Sequence, residues 1–414
     1  MHAVGLTICR LFFDPLVLFV SISFKLNEGA LLKISNHPKQ PPQRITKMQD
    51  ISEPKHLGII SQCYDETFDS FYKFDKSLGQ GGQGVVSLAT VKATGKIVVI
   101  KRLILPPNTD LKTVPELVML DRISKLGPHP NILPFLQVWN TPQSAPGECP
   151  TSRIILPYVA GGELRTLRTT FDKMSVKVPE AFIWHVYKSL VIGYGFLHDN
   201  GISHRDIKPE NIMLDPVNFG DPALFPTVKI IDFGIADDVA DSETTSGTPK
   251  WQPGPPECRI GGAKADVWAM GAVIHFLATG YATKTDCPPS VPDKDVHEFY
   301  RQSVPYVRRL VNPADFNYEI RNLSLTDARD LTYNSSNPLP RRDYSPIFEY
   351  HTTRALDTNP VTRITIPALT ATMIEDADKQ INFYKAWFRH CKAEGSQRPL
   401  LTFAMSEPYT DWQA

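Results

Sequence analysis

The pattern of apolar and polar positions predicts a small lobe with a sheet at the start of the folded region. From residue 71 to 105, apolar runs rich in β-branched residues alternate with glycine-containing turns, which predicts three strands in a meander. Residues 113–125 then place Leu117, Leu120 and Ile123 close to helical spacing. The pattern therefore predicts one helix packed against an antiparallel sheet.

A different pattern follows in the second half of the chain. Residues 180–198 carry apolar and aromatic side chains all round the helical period, and so do residues 265–279. Helices of this kind are buried, so the second lobe is predicted to be larger and mainly helical. The fold class is then α+β with two lobes, and the Pro-, Asp- and Asn-rich residues 281–345 leave their helices unplaced.

The first residues of the chain have a composition of their own. Residues 11–24 are apolar, but Asp14 and Pro15 interrupt them and no small-residue cleavage site follows. An uninterrupted apolar span of about 20 residues is missing, so a transmembrane helix is not expected. A leader without fixed structure, a secretory signal peptide and a membrane-associated segment all stay open. The polar, proline-bearing residues 33–54 are typical of a linker.

Composition and charge narrow the class of protein. The 414 residues are 42% hydrophobic and 21% charged, which argues against wholesale disorder and against a membrane protein with many spans. The 44 basic and 44 acidic residues cancel, so no overall field favours nucleic acid or anionic lipid as a partner. Six cysteines without a CxxC pair are expected to be free thiols, as in a cytoplasmic protein.

The glycines of the first predicted turn are the first sign of chemistry. Gly79, Gly81 and Gly84 form a GxGxxG pattern followed by Val86. The pattern alone fits a phosphate-binding loop, a dinucleotide loop or an ordinary hairpin turn. A dinucleotide loop requires a helix next, whereas here the predicted strands continue to Lys101, so phosphate binding without a dinucleotide fold is favoured.

One lysine and one glutamate are candidates for an ion pair beside this loop. Lys101 ends the strand motif VVIK, where its ammonium can reach phosphate groups. Glu116 is the sole acidic residue between Asp110 and Asp121 and lies on the predicted helix. Either residue alone is compatible with an ordinary surface charge. Together they predict a Lys101–Glu116 pair.

The most specific segment is the run HRDIKPEN at residues 204–211. With GxGxxGxV, VVIK and the Asp232-Phe233-Gly234 triplet in this order, the sequence resembles the eukaryotic protein kinase family over most of its length. Lysine at position 208 resembles the Ser/Thr class of that family. The resemblance implies the bilobal protein kinase fold and ATP and Mg²⁺ as cofactors.

The resemblance also implies roles for the residues of these motifs. Asp206 is expected to accept or orient the proton of the substrate hydroxyl, and Lys208 to neutralise the transferring phosphate. Lys101 is expected to anchor the phosphates. Asn211 and Asp232 are expected to bind Mg²⁺.

The resemblance places an adenine nucleotide between the lobes. Without the resemblance, the apolar residues of this region would be interpreted as ordinary core residues and Glu163 as a solvated turn residue. Val86 and Val99 are expected above the adenine and Met213 below it. The other expected contacts are Leu156 at the back of the pocket, the backbone of Tyr158 and Val159, the ribose partner Glu163, and the glycines Gly79, Gly81 and Gly84 at the phosphates.

Further matches follow in the second half. Residues 247–257 resemble the end of an activation segment and a platform for a peptide acceptor. Asp266 resembles the helix residue that braces the catalytic loop, and Glu257 with Arg363 resembles a buried pair that closes the large lobe.

Some positions depart from the family pattern. Val99 is bulkier than usual beside the adenine, and Pro157 removes one backbone donor next to the expected hinge. Residues 215–227 form a predicted insertion, and a Gly-Pro step lengthens residues 247–257. None of these departures removes a catalytic group.

Regulation and competing functions stay open at this point. Phosphorylation of Ser242, Thr244, Thr245 or Ser246 by an upstream kinase can order the segment that carries these residues through Arg205, although the same segment also fits a flexible polar loop.

The expected partner is a protein with a Ser or Thr acceptor, not nucleic acid or a membrane. Besides the active enzyme, an inactive nucleotide-binding pseudokinase and a small-molecule kinase remain as alternatives.

The predicted domain boundaries follow from these assignments. Residues 1–68 are expected to be a leader and linker largely without fixed structure. A protein kinase domain is expected over residues 69–387, with the small lobe at about 69–158 and the large lobe at about 159–387. Residues 388–414 are expected to form a tail.

Overall fold

The structure is a computed structural model whose described residues exclude both ends of the chain and several internal segments. The leader, the centre of the predicted insertion and the four candidate phosphorylation positions lie outside the described residues. None of the described helices is long and apolar enough to cross a membrane. The described residues are 65–81, 84–141, 149–173, 177–215, 225–239, 247–255, 257, 262–308, 310 and 344–393.

The small lobe is a five-stranded antiparallel sheet with the order β1-β2-β3-β5-β4. The predicted meander is therefore confirmed, and two further strands extend it. One helix lies before the sheet and one follows β3. The elements are α1 (Asp65–Phe71), β1 (Tyr72–Gly81), β2 (Gly84–Val91), β3 (Ile97–Leu103), α2 (Pro115–Lys125), β4 (Gln137–Thr141) and β5 (Thr151–Pro157).

The alternation of side chains along β3 separates the two faces of the sheet. Val98 and Ile100 join a buried cluster with Phe68 of α1. The Phe68 ring centroid lies 4.8 Å from that of Tyr72, so α1 covers this outer face with aromatic side chains. Because successive side chains point to opposite faces, Lys101 lies on the other face, toward the large lobe.

The large lobe is mainly helical, as predicted. The helices α4 and α5 form its centre, and Trp184, Tyr187 and Trp268 are fully buried there. Four short strands pair as β6 with β9 and β7 with β8. The elements are α3 (Leu164–Lys173), α4 (Glu180–Asp199), β6 (Ile202–Ser203), β7 (Ile212–Asp215), β8 (Thr227–Ile230), β9 (Asp237–Asp238), α5 (Ala263–Thr279), α6 (Val296–Gln302), α7 (Pro346–Ala355) and α8 (Ile366–Ala393).

The helix ends differ from the predicted bounds for local reasons. Helix α2 begins at Pro115, since proline is well suited to the first turn and the preceding Val114 is extended. Helix α5 ends at Thr279, because the next residue, Gly280, has a φ of 78°, the left-handed conformation that stops helices. Helices α1 and α8 extend across the expected domain boundaries at residues 69 and 387.

Candidate active site

Lys101 lies between two carboxylates where the two lobes face each other. Its Nζ donates hydrogen bonds of 2.7 Å to Glu116 Oε1 and 2.7 Å to Asp232 Oδ1. Strand β3 supplies the lysine, the first turn of α2 supplies Glu116, and the chain after β8 supplies Asp232. The structure therefore brings together three residues that the sequence assigned to one site.

Burial and charge act against each other on these groups. Burial alone would lower the pKa of Lys101, but the charges of Glu116 and Asp232 outweigh it and raise that pKa. Burial would likewise raise the pKa of Asp232, but Lys101 outweighs it and lowers that pKa. Lys101 is therefore an ammonium and Asp232 a carboxylate at neutral pH.

Asp206 is the centre of a second hydrogen-bond network. Thr248 Oγ1 donates to Asp206 Oδ1 at 2.7 Å, and Lys208 Nζ donates to Asp206 Oδ2 at 2.6 Å. Asn211 Nδ2 donates to the backbone oxygen of Asp206 at 2.9 Å and to Oδ2 at 3.2 Å. Both Asp206 and Asn211 are buried, so the loop presents a carboxylate of fixed orientation.

Asp266 of α5 anchors the loop that carries Asp206. Its Oδ2 accepts from Ser203 Oγ at 2.8 Å and from the His204 backbone N at 2.8 Å, and its Oδ1 accepts from the Arg205 backbone N at 2.9 Å. His198 Nε2 lies 2.9 Å from Oδ2. Burial would raise the pKa of Asp266, but these hydrogen bonds and nearby histidines lower it. The brace expected at this position is present.

Two residues of the site have backbone conformations that residues other than glycine rarely adopt. Arg205 has a φ of 66° and Asp232 a φ of 64°, both in the left-handed region. Each stands next to a residue held by packing, since Phe233 is buried with its ring centroid 5.2 Å from that of His204. Strained backbone of this kind persists where the surroundings determine it, as they do here.

The glycine-rich turn joins β1 to β2. Gly79 lies opposite Val86 and Gly81 opposite Gly84 in the strand register. A Cβ on Gly84 would lie 2.4 Å from the Arg102 carbonyl oxygen, whereas one on Gly79 would meet nothing within 4 Å. Glycine at position 84 is therefore required by the close approach of β3, while Gly79 borders open space.

Strand pairing gives the positions of several other predicted nucleotide contacts. Val86 lies opposite Lys101 between β2 and β3, and Val99 lies opposite Leu156 between β3 and β5. A β-bridge joins Glu163 to Met213, which places β7 beneath the segment that links the lobes.

The linking segment itself has one buried and one exposed side chain. Val159 is buried, while Tyr158 is 45% exposed. Pro157 ends β5 opposite Val98. Burial raises the pKa of Glu163, whose Oε1 accepts from Thr166 Oγ1 at 3.2 Å.

A bidentate ion pair closes the far end of residues 247–257. Arg363 Nη2 donates to Glu257 Oε2 at 2.7 Å, and Arg363 Nη1 bonds the other carboxylate oxygen. Arg363 is 1% exposed and its guanidinium lies 5.1 Å from the Trp268 ring centroid. The pair expected from the sequence therefore forms, with its charges excluded from solvent.

Comparison with known proteins identifies the family. A model described as the protein kinase domain matches residues 72–371, which is most of the chain. The chain belongs to the protein kinase family. This match accounts for the bilobal fold of the kinase and for the order of its motifs.

The curated relatives of the chain include protein kinases of the Ser/Thr type. A probable myosin light chain kinase from Dictyostelium discoideum is 30% identical over 216 residues, covering 50% of this chain and 62% of the relative. A probable serine/threonine-protein kinase from the same organism is 34% identical over 217 residues, covering 50% and 23%. Calcium/calmodulin-dependent protein kinase type IV from Rattus norvegicus is 28% identical over 253 residues, covering 59% and 48%. The chain thus spans less than two thirds of each relative.

Some contacts around the kinase site were not found from the sequence. Arg122 of α2 donates to the backbone oxygens of Asn200 at 2.9 Å and Gly201 at 3.1 Å, and pairs with Asp238 at 2.7 Å. Arg205, expected to recruit a phosphate, donates to Asp237 at 2.8 Å. These contacts join residues far apart in the chain, so no local pattern predicts them.

Proposed function

We propose that this chain is an active protein kinase that transfers the γ-phosphate of ATP to Ser or Thr hydroxyls of protein substrates. The observation that carries this proposal is the position of Lys101, hydrogen-bonded at once to Glu116 and Asp232. In active kinases the strand lysine and its helix glutamate must be paired while the metal-binding aspartate is in place. Glu116 follows Pro115 directly at the start of α2 and still pairs with Lys101. This pairing disfavours an inactive pseudokinase.

The nucleotide fits the surface between the lobes. Lys101 offers an ammonium for the phosphates, and the chain near Gly79 borders open space that a phosphate group can use. Val86 and Val99 above and Met213 below would hold the adenine. Leu156, with the backbone of Tyr158 and Val159, would complete that pocket.

Asn211 and Asp232 would hold Mg²⁺. Asn211 Nδ2 is directed to Asp206, which turns the amide oxygen, the atom that binds cations, the other way. Asp232 is ionised, and its Oδ1 accepts from Lys101. Two protein ligands are enough, because Mg²⁺ in such sites takes its other ligands from phosphates and water. When bound, the metal would neutralise charge that develops on the phosphates.

The hydrogen bonds of Asp206 favour one of its two oxygens as the acceptor of the substrate proton. Among the described residues, Oδ2 accepts from both Lys208 and Asn211, whereas Oδ1 accepts from Thr248. A carboxylate has about four acceptor positions. The position left on Oδ1 is therefore the one that orients the acceptor hydroxyl, while Lys208 supplies positive charge beside it.

The experiment is transfer of labelled phosphate from ATP to a Ser/Thr acceptor protein, with and without Mg²⁺. We expect the parent to transfer phosphate only with Mg²⁺, and Lys101→Met and Asp232→Ala to lose transfer by at least about a hundredfold. Nucleotide binding is measured in parallel. Binding without transfer by the parent, in the presence of Mg²⁺ and several acceptors, would favour the inactive alternative.

A further inference from the structure

A buried lysine of the large lobe, next to residues 249–253, has an unusual environment. Lys284 follows α5 and is 2% exposed. Its Nζ donates to the backbone oxygens of Pro249 at 2.9 Å, Pro253 at 3.0 Å and Tyr300 at 2.8 Å. An ammonium has three donors, and these three carbonyls are enough to use all of them.

The three carbonyls belong to two different parts of the lobe. Pro249 and Pro253 begin and end residues 249–253, while Tyr300 lies in α6. Burying an ammonium is costly unless the surroundings compensate it, so its position demands well-placed acceptors. Lys284 therefore determines how residues 249–253 lie relative to α6.

The two residues that precede this segment, Gly247 and Thr248, contact the loop that carries Asp206. Thr248 Oγ1 donates to Asp206 Oδ1 at 2.7 Å and accepts from Lys208 Nζ at 3.1 Å. A Cβ on Gly247, whose φ is 97°, would lie 2.4 Å from the Arg205 carbonyl oxygen. Any displacement of residues 249–253 is thus transmitted to the place where the acceptor hydroxyl must sit.

Packing holds the middle and the end of this segment. Trp251 is buried, with its ring centroid 5.3 Å from that of Phe276 in α5. A Cβ on Gly254 would lie 2.7 Å from Pro305 Cδ, so the added Gly-Pro step is closely seated on the chain after α6. Residues 249–253 are therefore a surface of defined shape beside Asp206.

We propose that Lys284 is a positioning residue for the protein acceptor. It holds residues 249–253 as the surface that receives the acceptor chain next to its Ser or Thr. This inference rests on the proposed kinase activity and adds to it a residue that acts on the acceptor side of the site. Lys284 does not touch the nucleotide or the reacting atoms, so its effect on ATP binding is expected to be small.

The test compares Lys284→Met with the control Lys294→Met in the full chain. Methionine keeps the length of the side chain but removes all three donors, and Lys294 is exposed, so the control makes the same change without burial. Initial rates are measured against a peptide pool with a central serine and against ATP, and thermal unfolding is recorded for each variant. We expect Lys284→Met to raise the apparent KM for peptide about tenfold with the KM for ATP within about twofold of the parent.

Selectivity gives a second readout that a purely structural role would not change. With a library that varies the residues on either side of the serine, Lys284→Met is expected to accept a broader set than the parent and Lys294→Met the same set. A parent-like peptide KM and selectivity in folded Lys284→Met would overturn the inference. Equal loss for peptide and ATP, together with a lower melting temperature, would also overturn it in favour of a structural role.

A further variant keeps the inference testable if Lys284→Met does not fold. Lys284→Arg retains the positive charge but cannot reproduce three contacts from one nitrogen, so it is expected to raise the peptide KM while leaving that for ATP unchanged. A parent-like peptide KM for this variant would contradict the inference. Absence of transfer by the parent itself would instead contradict the proposed kinase activity, so the two failures are distinct.

Discussion

At the scale of single residues, the site is organised by two cations that each join carboxylates or hydroxyls from separate segments. Lys101 bonds Glu116 and Asp232, and Lys208 bonds Asp206 and Thr248. Burial raises the pKa of Glu116 despite the Lys101 ammonium, whereas for Asp232 the ammonium outweighs burial and lowers the pKa. A bound metal cation would add positive charge beside the ionised Asp232, in agreement with the role proposed for it.

The Thr248 hydroxyl gives a prediction at this scale. Thr248→Ala removes a bond to the Asp206 carboxylate and an acceptor for Lys208, and hydrogen bonds to charged groups contribute about 1.5–3 kcal/mol. We expect kcat to fall between about tenfold and a hundredfold with the KM for ATP little changed. Thr248→Ser keeps the hydroxyl and is expected to stay near the parent. Equal activity of the Ala and Ser variants would show that the hydroxyl does not orient Asp206.

Residues within one motif were predictable, whereas some contacts between motifs were not. Asp206, Lys208 and Asn211 stand in a single run whose order is specific, so their roles could be inferred from the resemblance. The bond from Thr248 to Asp206 joins residues 42 positions apart, and neither hydrophobic period nor local composition bears on it.

At the scale of elements, helix α2 depends on its anchorage to the large lobe. Glu116 in its first turn reaches Lys101, while Arg122 near its end reaches the turn after α4. The partly exposed Arg122 also pairs with Asp238, which is 75% exposed in its side chain. Exposed ion pairs contribute at most about 1 kcal/mol, so the two backbone oxygens are the stronger partners.

Arg122 therefore gives a prediction for α2. Arg122→Ala is expected to lower kcat/KM for ATP about tenfold, because α2 loses its hold on the large lobe and Glu116 its position. Asp238→Asn is expected to change it less than about twofold. Steady-state kinetics on both variants measure this difference. A loss for Asp238→Asn as large as that for Arg122→Ala would mean that the ion pair, and not the backbone contacts, holds the helix.

The sequence predicted the helices in which the pattern of apolar residues is strong and missed those in which it is weak. Helices α4 and α5 are apolar all round, so burial was evident from their residues alone. Helix α1 was assigned to a linker because it is short and its stability comes from Phe68 packing on Trp139 at 5.5 Å, a tertiary contact. Helix α6 lies among prolines and acidic residues that carry no clear period.

At the scale of the whole molecule, buried histidines couple the stability of the large lobe to pH. His275 of α5 is fully buried, and its Nε2 accepts from the Arg308 backbone N at 3.0 Å. Its Nδ1 lies 3.2 Å from the Tyr281 carbonyl oxygen. Burial lowers the pKa of His275 to about 4, so the folded chain holds the ring neutral.

This environment predicts a loss of stability in mild acid. The unfolded chain binds a proton at the ordinary histidine pKa of about 6.5, so the contribution of His275 is complete above that pH and is lost as the pH falls toward about 4. His275→Gln keeps a donor and an acceptor without titrating. We expect the free energy of unfolding to fall less steeply for this variant, by up to about 1.4 kcal/mol per pH unit.

Urea unfolding between neutral and mildly acid pH measures this slope. The control is His297→Gln, because His297 is exposed. The control is expected to keep the slope of the parent. A His275→Gln variant with that same slope would show that the histidine does not couple folding to pH.

The arrangement of the two lobes was predictable only through the resemblance. Lys101 and Asp232 lie 131 positions apart, and periodicity could not have placed them 2.7 Å from each other. Their presence in family motifs assigned both residues to one nucleotide site, but the hydrogen bond between them was found only in the structure. Lys284 belongs to no motif, so its carbonyl contacts could be found only in the folded chain.

The most direct test of the central claim is phosphate transfer to protein serine or threonine by the full chain and by Asp206→Asn. We expect the parent to label these residues with ATP and Mg²⁺, and Asp206→Asn to bind nucleotide while losing transfer by about a hundredfold to ten-thousandfold. Equal transfer by both proteins, or none by a parent that binds nucleotide, would contradict the account.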